Sequence, residues 1–236
     1  MDKLLKFYIN GEWVDPLSTD RMPVLNPASV EQICEVALGG EADVDRAVAA
    51  AAAAFDQFSL SSKGERLDLL ARIRAVTERR FEELAQAMRL EMGAPITMAR
   101  EAQADAAIGH LDGFVAALEK LEERERFENG EVLLREPIGV CGLITPWNWP
   151  MNQVVLKVLP VIATGCTCVL KPSEHTPVSA MLYAEILEEA GVPAGVFNLV
   201  NGVGPVVGGA LSRHPDVQMM SFTWSTRAGT AVTRDA

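Results

Sequence analysis

Pro146-Trp147-Asn148-Trp149-Pro150 is the segment whose composition most asks for a chemical explanation. Two Trp and two Pro around one Asn make a rigid turn that holds a single amide in place. Such an amide can donate to a developing oxyanion. It can equally satisfy the backbone of its own turn, and the pattern leaves both uses open. Lys171-Pro172-Ser173-Glu174 puts a cation and an acid after a predicted strand. An acid at a strand end can bond the hydroxyls of an adenosine ribose, although a surface ion pair of small value uses the same residues. Asn201-Gly202-Val203-Gly204-Pro205-Val206-Val207-Gly208-Gly209 follows a strand and opens a helix, as a phosphate-binding turn does, but its spacing is one residue longer than Gly-x-Gly-x-x-Gly. A tight turn is the plainer reading. In Phe222-Thr223-Trp224-Ser225-Thr226, the last two hydroxyls and the free N–H groups of a helix start can meet a pyrophosphate. They can also simply cap the helix.

Other chemistries find little support. His110, His175 and His214 lack metal-ligand spacing, and Cys34, Cys141, Cys166 and Cys168 contain no zinc pair. Cys166 and Cys168 read as core residues of one strand. There is no Walker loop and no Gly-x-Ser-x-Gly elbow. The charge sum, 21 basic against 32 acidic residues or −11, argues against nucleic acid or an anionic membrane as partner. The most apolar stretch, 154–170, is interrupted by Lys157, Pro160 and Gly165, too soon for a membrane span. The first residues turn polar too early for a secretory signal. Four cysteines in 236 residues are no disulfide framework, which points to the cytoplasm. With 49% hydrophobic residues the chain can bury a core, so a mainly disordered chain is excluded.

The elements that must position these turns can be read from period and punctuation. Asn10-Gly11 between Phe7-Tyr8-Ile9 and Trp13-Val14 predicts a hairpin. Strands follow around Val24-Leu25 and at 33–37. An Ala-rich helix spans 43–58. Ser62-Lys63-Gly64-Glu65 is a capping box opening a helix through Met88 that Gly93-Ala94-Pro95 stops. Thr97 caps a further helix to about Arg126, whose charged tail at 119–128 is a solvated end. Beyond Pro137 the grammar is βαβα: strands at 140–145, 167–171, 197–200 and 217–223, with helices at 151–163, 177–190 and 205–212. Such alternation implies a parallel sheet with right-handed crossovers. All four turns then lie at its carboxyl edge, where ligands of such sheets bind.

The order of these motifs resembles the aldehyde dehydrogenase superfamily, and the likeness covers essentially the whole chain. It is carried by Pro146-Trp147-Asn148, Lys171-Pro172-Ser173-Glu174, Gly202-x-Gly204 with Gly208, and Phe222-Thr223-x-Ser225-Thr226, together with the lead-in Arg135-Glu136-Pro137-Ile138-Gly139-Val140. The resemblance implies an α/β fold with a Rossmann-like parallel sheet and flanking helices, residues 1–236 being the N-terminal, cofactor-binding part. It implies an oligomerisation hairpin at 127–137, hence a homo-oligomer. The implied reaction oxidises a small aldehyde to a carboxylic acid with NAD, NADP being possible, through a cysteine thiohemiacetal. By the same likeness Asn148 supplies the side-chain half of the oxyanion hole. Ile144, Thr145, Pro146 and Trp147 line the nicotinamide side, with Phe222 and Thr223 nearby. Lys171 and Glu174 bond the adenosine ribose, and Ser173 sits where a 2′-phosphate could go. A free Glu174 favours NAD by repelling that phosphate. Gly204 and Gly208 pass under the adenine, and Ser225 bonds the pyrophosphate.

Two departures qualify the likeness. The family's cysteine nucleophile and glutamate base lie beyond the last motif, so the chain as given is expected to lack the catalytic domain and to be inactive alone. A truncated, non-catalytic nucleotide-binding or interaction remnant is the alternative. Where the family has Gly, this chain has Trp224, whose side chain is expected to intrude on the cofactor and weaken its binding.

Overall fold

The computed structural model describes residues 2–236. Asn10 and Gly11 take φ of 55° and 78°, the left-handed pair that a two-residue hairpin turn requires. They fold β1 (Phe7–Ile9) onto β2 (Glu12–Val14). A separate antiparallel pair follows, β3 (Arg21–Leu25) and β4 (Gln32–Ala37). The Ala-rich α1 (Glu41–Phe58) buries Val44, Ala47, Val48 and Ala51 on one face. At Ser62 the expected capping box is formed, Ser62 accepting from the Glu65 N–H while the Glu65 carboxylate accepts from the Ser62 N–H, and α2 (Lys63–Arg79) begins.

Two helices behave differently from the sequence reading. The helix expected to run through Met88 breaks at Arg80, whose backbone (φ −100°, ψ 16°) leaves helical space. The Arg80 guanidinium donates to Glu83 and to the distant Glu185, so the break lets α3 (Phe81–Glu91) turn toward a later helix. The next helix starts after Pro95 rather than at a Thr97 cap. α4 (Ile96–Met98) passes through a π-helical turn (Ala99–Ala104) into α5 (Asp105–Lys120). It stops there because Leu121 is extended and Lys63 Nζ donates to the carbonyls of Glu119 and Leu121. Residues expected to end that helix instead form β5 (Arg124–Arg126), paired with β6 (Val132–Leu134). The hairpin therefore begins before Phe127, with Gly130 at φ 88° at its tip.

The remaining chain is β7 (Val140–Ile144), α6 (Pro150–Ala163), β8 (Thr167–Lys171), α7 (Pro177–Glu189) and β9 (Phe197–Leu199). A π-helical turn (Gly204–Gly208) leads into α8 (Gly209–Arg213), then β10 (Met219–Phe222) and α9 (Thr226–Asp235). The sheet order is β10-β7-β8-β9-β1-β2, with the first four strands parallel. The sheet is mixed, not purely parallel, because the N-terminal hairpin adds to it. Tyr8 pairs with Leu199 antiparallel, and the buried Asn198 side chain accepts from the Asn10 N–H at 2.9 Å.

Strand alternation sorts the core into two layers. Cys141, Leu143, Cys168, Leu170, Phe197 and Leu199 face the cluster built with α2, α3, α5, α6 and α7. Val140, Ile144, Val169 and Val200 face α1 and α8. With helices on both faces, the sheet can display ligand-facing residues only at the strand ends.

Candidate functional site

Register brings the four turns to one edge. Ile144 pairs with both Lys171 and Phe222, across β8 and β10. Beyond the last pairs, Thr145 N–H donates to the Lys171 carbonyl and Thr223 N–H to the Ile144 carbonyl, at 3.3 and 3.2 Å. Val200 N–H donates to the Leu170 carbonyl at 3.0 Å. Chain segments leaving the edge are thus fixed before their side chains diverge.

The Pro146–Pro150 turn has a buried base and an open tip. Thr145 and Pro146 are buried, whereas Trp147 and Asn148 are exposed. None of the side-chain hydrogen bonds among the described residues ties down the Asn148 amide, so it does not serve its own turn. Pro150 then begins α6, its missing N–H costing nothing at that position. Within that first turn, Asn152 Oδ1 meets His110 Nε2 of α5 at 2.7 Å.

Lys171 and Glu174 form an ion pair with Nζ···Oε2 of 2.9 Å, and Lys171 also donates to the Pro172 carbonyl at 2.8 Å. The Lys171 side chain is only 3% exposed and that of Glu174 22%, so this is not the surface pair of the plainer reading. Burial pulls the Lys171 ammonium below its usual pKa, and the Glu174 charge offsets this in part. Against its own burial, Glu174 is held below the usual carboxylate range by the charge and hydrogen bond of Lys171. The Glu174 carboxylate is therefore paired, not free as the sequence reading takes it. Ser173 is buried, and its Oγ accepts from His175 N–H at 3.3 Å.

The glycines separate by what a Cβ would meet. At Gly202 it would lie 2.3 Å from Val207 Cγ2, so the fold itself requires glycine there. At Gly204 it would meet nothing within 4 Å among the described residues. At Gly208 it would touch Ile144 Cδ1 at 3.4 Å and Lys171 Cδ at 3.9 Å, an ordinary contact that fills the gap between two edge residues. Packing therefore explains Gly202 but neither Gly204 nor Gly208. Across the edge, Ser225 caps α9 by accepting from Ala228 N–H at 3.3 Å, which is the plainer of its two expected uses. Phe222 and Thr223 are half-buried, and Trp224 is 44% exposed.

The aldehyde dehydrogenase family model matches residues 13–236. The chain belongs to the aldehyde dehydrogenase family. Among curated relatives, a 3-succinoylsemialdehyde-pyridine dehydrogenase from a Pseudomonas species is 50% identical over 232 residues, covering 98% of this chain and 48% of the relative. A crystal structure of an aldehyde dehydrogenase from Pseudomonas syringae, complexed with NAD+ and octanal, superposes with a TM-score of 0.97 at 51% identity, over 99% of this chain and 48% of that one. The enzyme from Bartonella henselae gives 0.96 at 48% identity, over 98% and 49%. This aldehyde dehydrogenase chain spans about half the length of the curated relatives it matches.

Its four cysteines are free thiols. Cys141 and Cys168 each lie three residues before the edge, about 10 Å back along their strands, and are buried. The neighbouring thiol and burial push Cys141 up, and burial pushes Cys168 up. Cys166 is held down to about 5 by hydrogen bonds from Cys141 and Thr164, yet it is 3% exposed and lies before β8 begins. Half-buried Cys34 is pushed up to about 11 by burial and by the charge of Glu91.

Two buried charges near the edge escape sequence reasoning. Lys157 of α6 donates to Ser221 Oγ of β10 at 3.0 Å, and burial pulls its ammonium pKa down. Glu91, the last residue of α3, is 3% exposed and accepts from the Val178 and Ser179 N–H groups at 2.6 and 3.0 Å. Burial pushes its carboxyl up to about 7, against the pull of these bonds. Neither residue carries a local signal, because each acts across the fold. Among the described residues, no helix is long and apolar enough to cross a membrane.

Proposed function

We propose that the carboxyl edge of the sheet is the NAD(P) site and the oxyanion side of an aldehyde dehydrogenase that converts a small aldehyde to a carboxylic acid. One observation carries the reading. The buried Lys171–Glu174 pair lies beside Gly208, whose added Cβ would sit 3.9 Å from Lys171 Cδ and 3.4 Å from Ile144 Cδ1, and the turn that Gly208 ends begins at Gly204, where a Cβ would meet nothing within 4 Å among the described residues. A buried cation beside a carboxylate, next to a turn whose first glycine is open, suits a ribose followed by a flat base.

In this reading Lys171 and Glu174 bond the ribose hydroxyls, with Ser173 toward the 2′ position. Gly204 and Gly208 pass beneath the adenine. Ser225 and the start of α9 face the pyrophosphate, since helix-start N–H groups favour anions. Ile144, Thr145, Pro146, Trp147, Phe222 and Thr223 line the nicotinamide side. NAD(P)+, when bound, supplies the hydride acceptor. Asn148, with its amide uncommitted, donates to the aldehyde oxygen as negative charge develops there. Pairing with Lys171 tempers the Glu174 charge, so NAD is preferred and NADP binds more weakly. Trp224 projects beside the pyrophosphate position and weakens binding of either nucleotide.

Turnover also needs a thiol nucleophile and a carboxylate base. Cys141, Cys166 and Cys168 are buried behind the edge and Cys34 belongs to the separate β3–β4 pair, so these 236 residues alone bind without turning over. The hairpin of β5 and β6 exposes Val132, Leu133 and Leu134 in a row, which suits self-association as a homo-oligomer. Free thiols suit a reducing cytoplasm. The test is calorimetric titration of NAD+ into the Trp224→Gly chain. Saturable binding that Lys171→Ala weakens at least about tenfold supports the reading, whereas equal binding by both proteins contradicts it.

A further inference from the structure

The segment between β8 and α7, residues 172–176, carries Ser173 and Glu174 and is held at two ends. At the β8 end the sheet holds it. At the α7 end the usual local cap is missing. Pro177 has no N–H, and Thr176, at the N-cap position, makes no side-chain cap; its buried Oγ1 has no partner among the described residues. The next two N–H groups, Val178 and Ser179, are instead bonded by the Glu91 carboxylate from α3. These are the donors that an N-cap side chain ordinarily satisfies.

Glu91 is itself held firmly. Its helix is tied to α7 at the opposite end by Arg80 and Glu185, 2.8 Å apart. The turn after it puts Gly93 at φ 75°, packed so closely on Pro27 that a Cβ would lie 2.7 Å from the ring. Arg72 Nε donates to the Ala190 carbonyl at 3.1 Å and closes the far end of α7. The helix that follows the nucleotide segment is thus clamped at both ends by side chains from other helices.

From this geometry we infer that Glu91 is a positioning residue for the nucleotide: by capping α7 from outside it fixes the segment that presents Ser173 and Glu174. The inference rests on the proposed NAD(P) reading of the edge. It assigns Glu91 no contact with substrate or cofactor. Losing the cap leaves the N–H groups of half-buried Val178 and buried Ser179 unsatisfied, and the first turn of α7 unwinds toward the segment.

The test uses the Trp224→Gly chain as parent, with NAD+ as probe. Glu91→Gln keeps the shape of the side chain but sets an NH2 against one of the two donors. It should weaken NAD+ binding about tenfold and speed amide exchange in the 172–179 peptide, with the rest of α3 still protected. Adding Thr176→Asp supplies a local N-cap for the same two N–H groups and should restore both properties. A merely structural Glu91 would lower stability without this rescue of affinity. Unchanged NAD+ affinity in Glu91→Gln overturns the inference alone, as does a loss that Thr176→Asp fails to repair. Absence of NAD+ binding by the parent overturns the reading of the edge and the inference with it.

Discussion

Replacing Gly208 by Ala separates the demands of the fold from those of a ligand. The residue has helical backbone, φ −65° and ψ −42°, which alanine adopts freely. The added methyl would touch Ile144 Cδ1 at 3.4 Å and Lys171 Cδ at 3.9 Å, neither of them a clash. Glycine-to-alanine exchange at a helical position contributes about 0.5–1 kcal/mol of stability. For a chain of this size that raises the unfolding midpoint by about 1–4 °C. The same methyl adds bulk beside Ile144 and Lys171 on the backbone over which the adenine is proposed to lie. Displacing a flat base by a methyl radius costs about 1–2 kcal/mol of affinity, or about five- to thirtyfold. Gly202→Ala is the control, because its Cβ would sit 2.3 Å from Val207 Cγ2 and must disturb the packing. That variant should lose about 1–3 kcal/mol of stability. Thermal unfolding and NAD+ calorimetry on the Trp224→Gly parent measure both effects. A Gly208→Ala chain that is as stable as the parent and binds NAD+ just as tightly would refute the argument.

Two further outcomes follow from the edge. Trp224→Gly removes a side chain that is 44% exposed, so stability should fall by about 1–2 kcal/mol, the value of its partial burial. NAD+ affinity should rise about tenfold or more over the native chain; identical titration curves would show that the indole stays clear of the nucleotide. Glu174→Gln removes the charge proposed to face a 2′-phosphate while leaving the side-chain shape. The ratio of NADP+ to NAD+ affinity should increase about three- to tenfold and lose much of its salt dependence. A ratio unmoved by the substitution places Glu174 away from the 2′ position.

The edge was legible because its signals are local. Turn residues such as Pro146, Pro172 and Gly202 punctuate runs of buried β-branched and aliphatic residues, and both strand ends and helix starts follow from that punctuation. The capping box at Ser62 and the turn at Asn10-Gly11 were legible for the same reason. What the sequence could not disclose depends on partners far along the chain. The break at Arg80 exists because Glu185 waits on α7, 105 residues away. The end of α5 depends on Lys63 reaching its carbonyls, and without that partner Arg124–Arg126 reads as helix rather than strand. The placement of β1 beside β9 rests on the buried Asn198. Lys171 read equally well as surface or site, because only the assembled layers bury it. Glu91 reads as an ordinary polar helix end until α7 is laid against it.

The central claim is that a nucleotide lies along the carboxyl edge. A crystal structure of the Trp224→Gly chain grown with millimolar NAD+ tests it most directly. The account predicts a ribose against Lys171 and Glu174, the adenine over Gly204 and Gly208, and the pyrophosphate at the start of α9. Nucleotide bound elsewhere on the chain, or an empty edge at saturating NAD+, would contradict it.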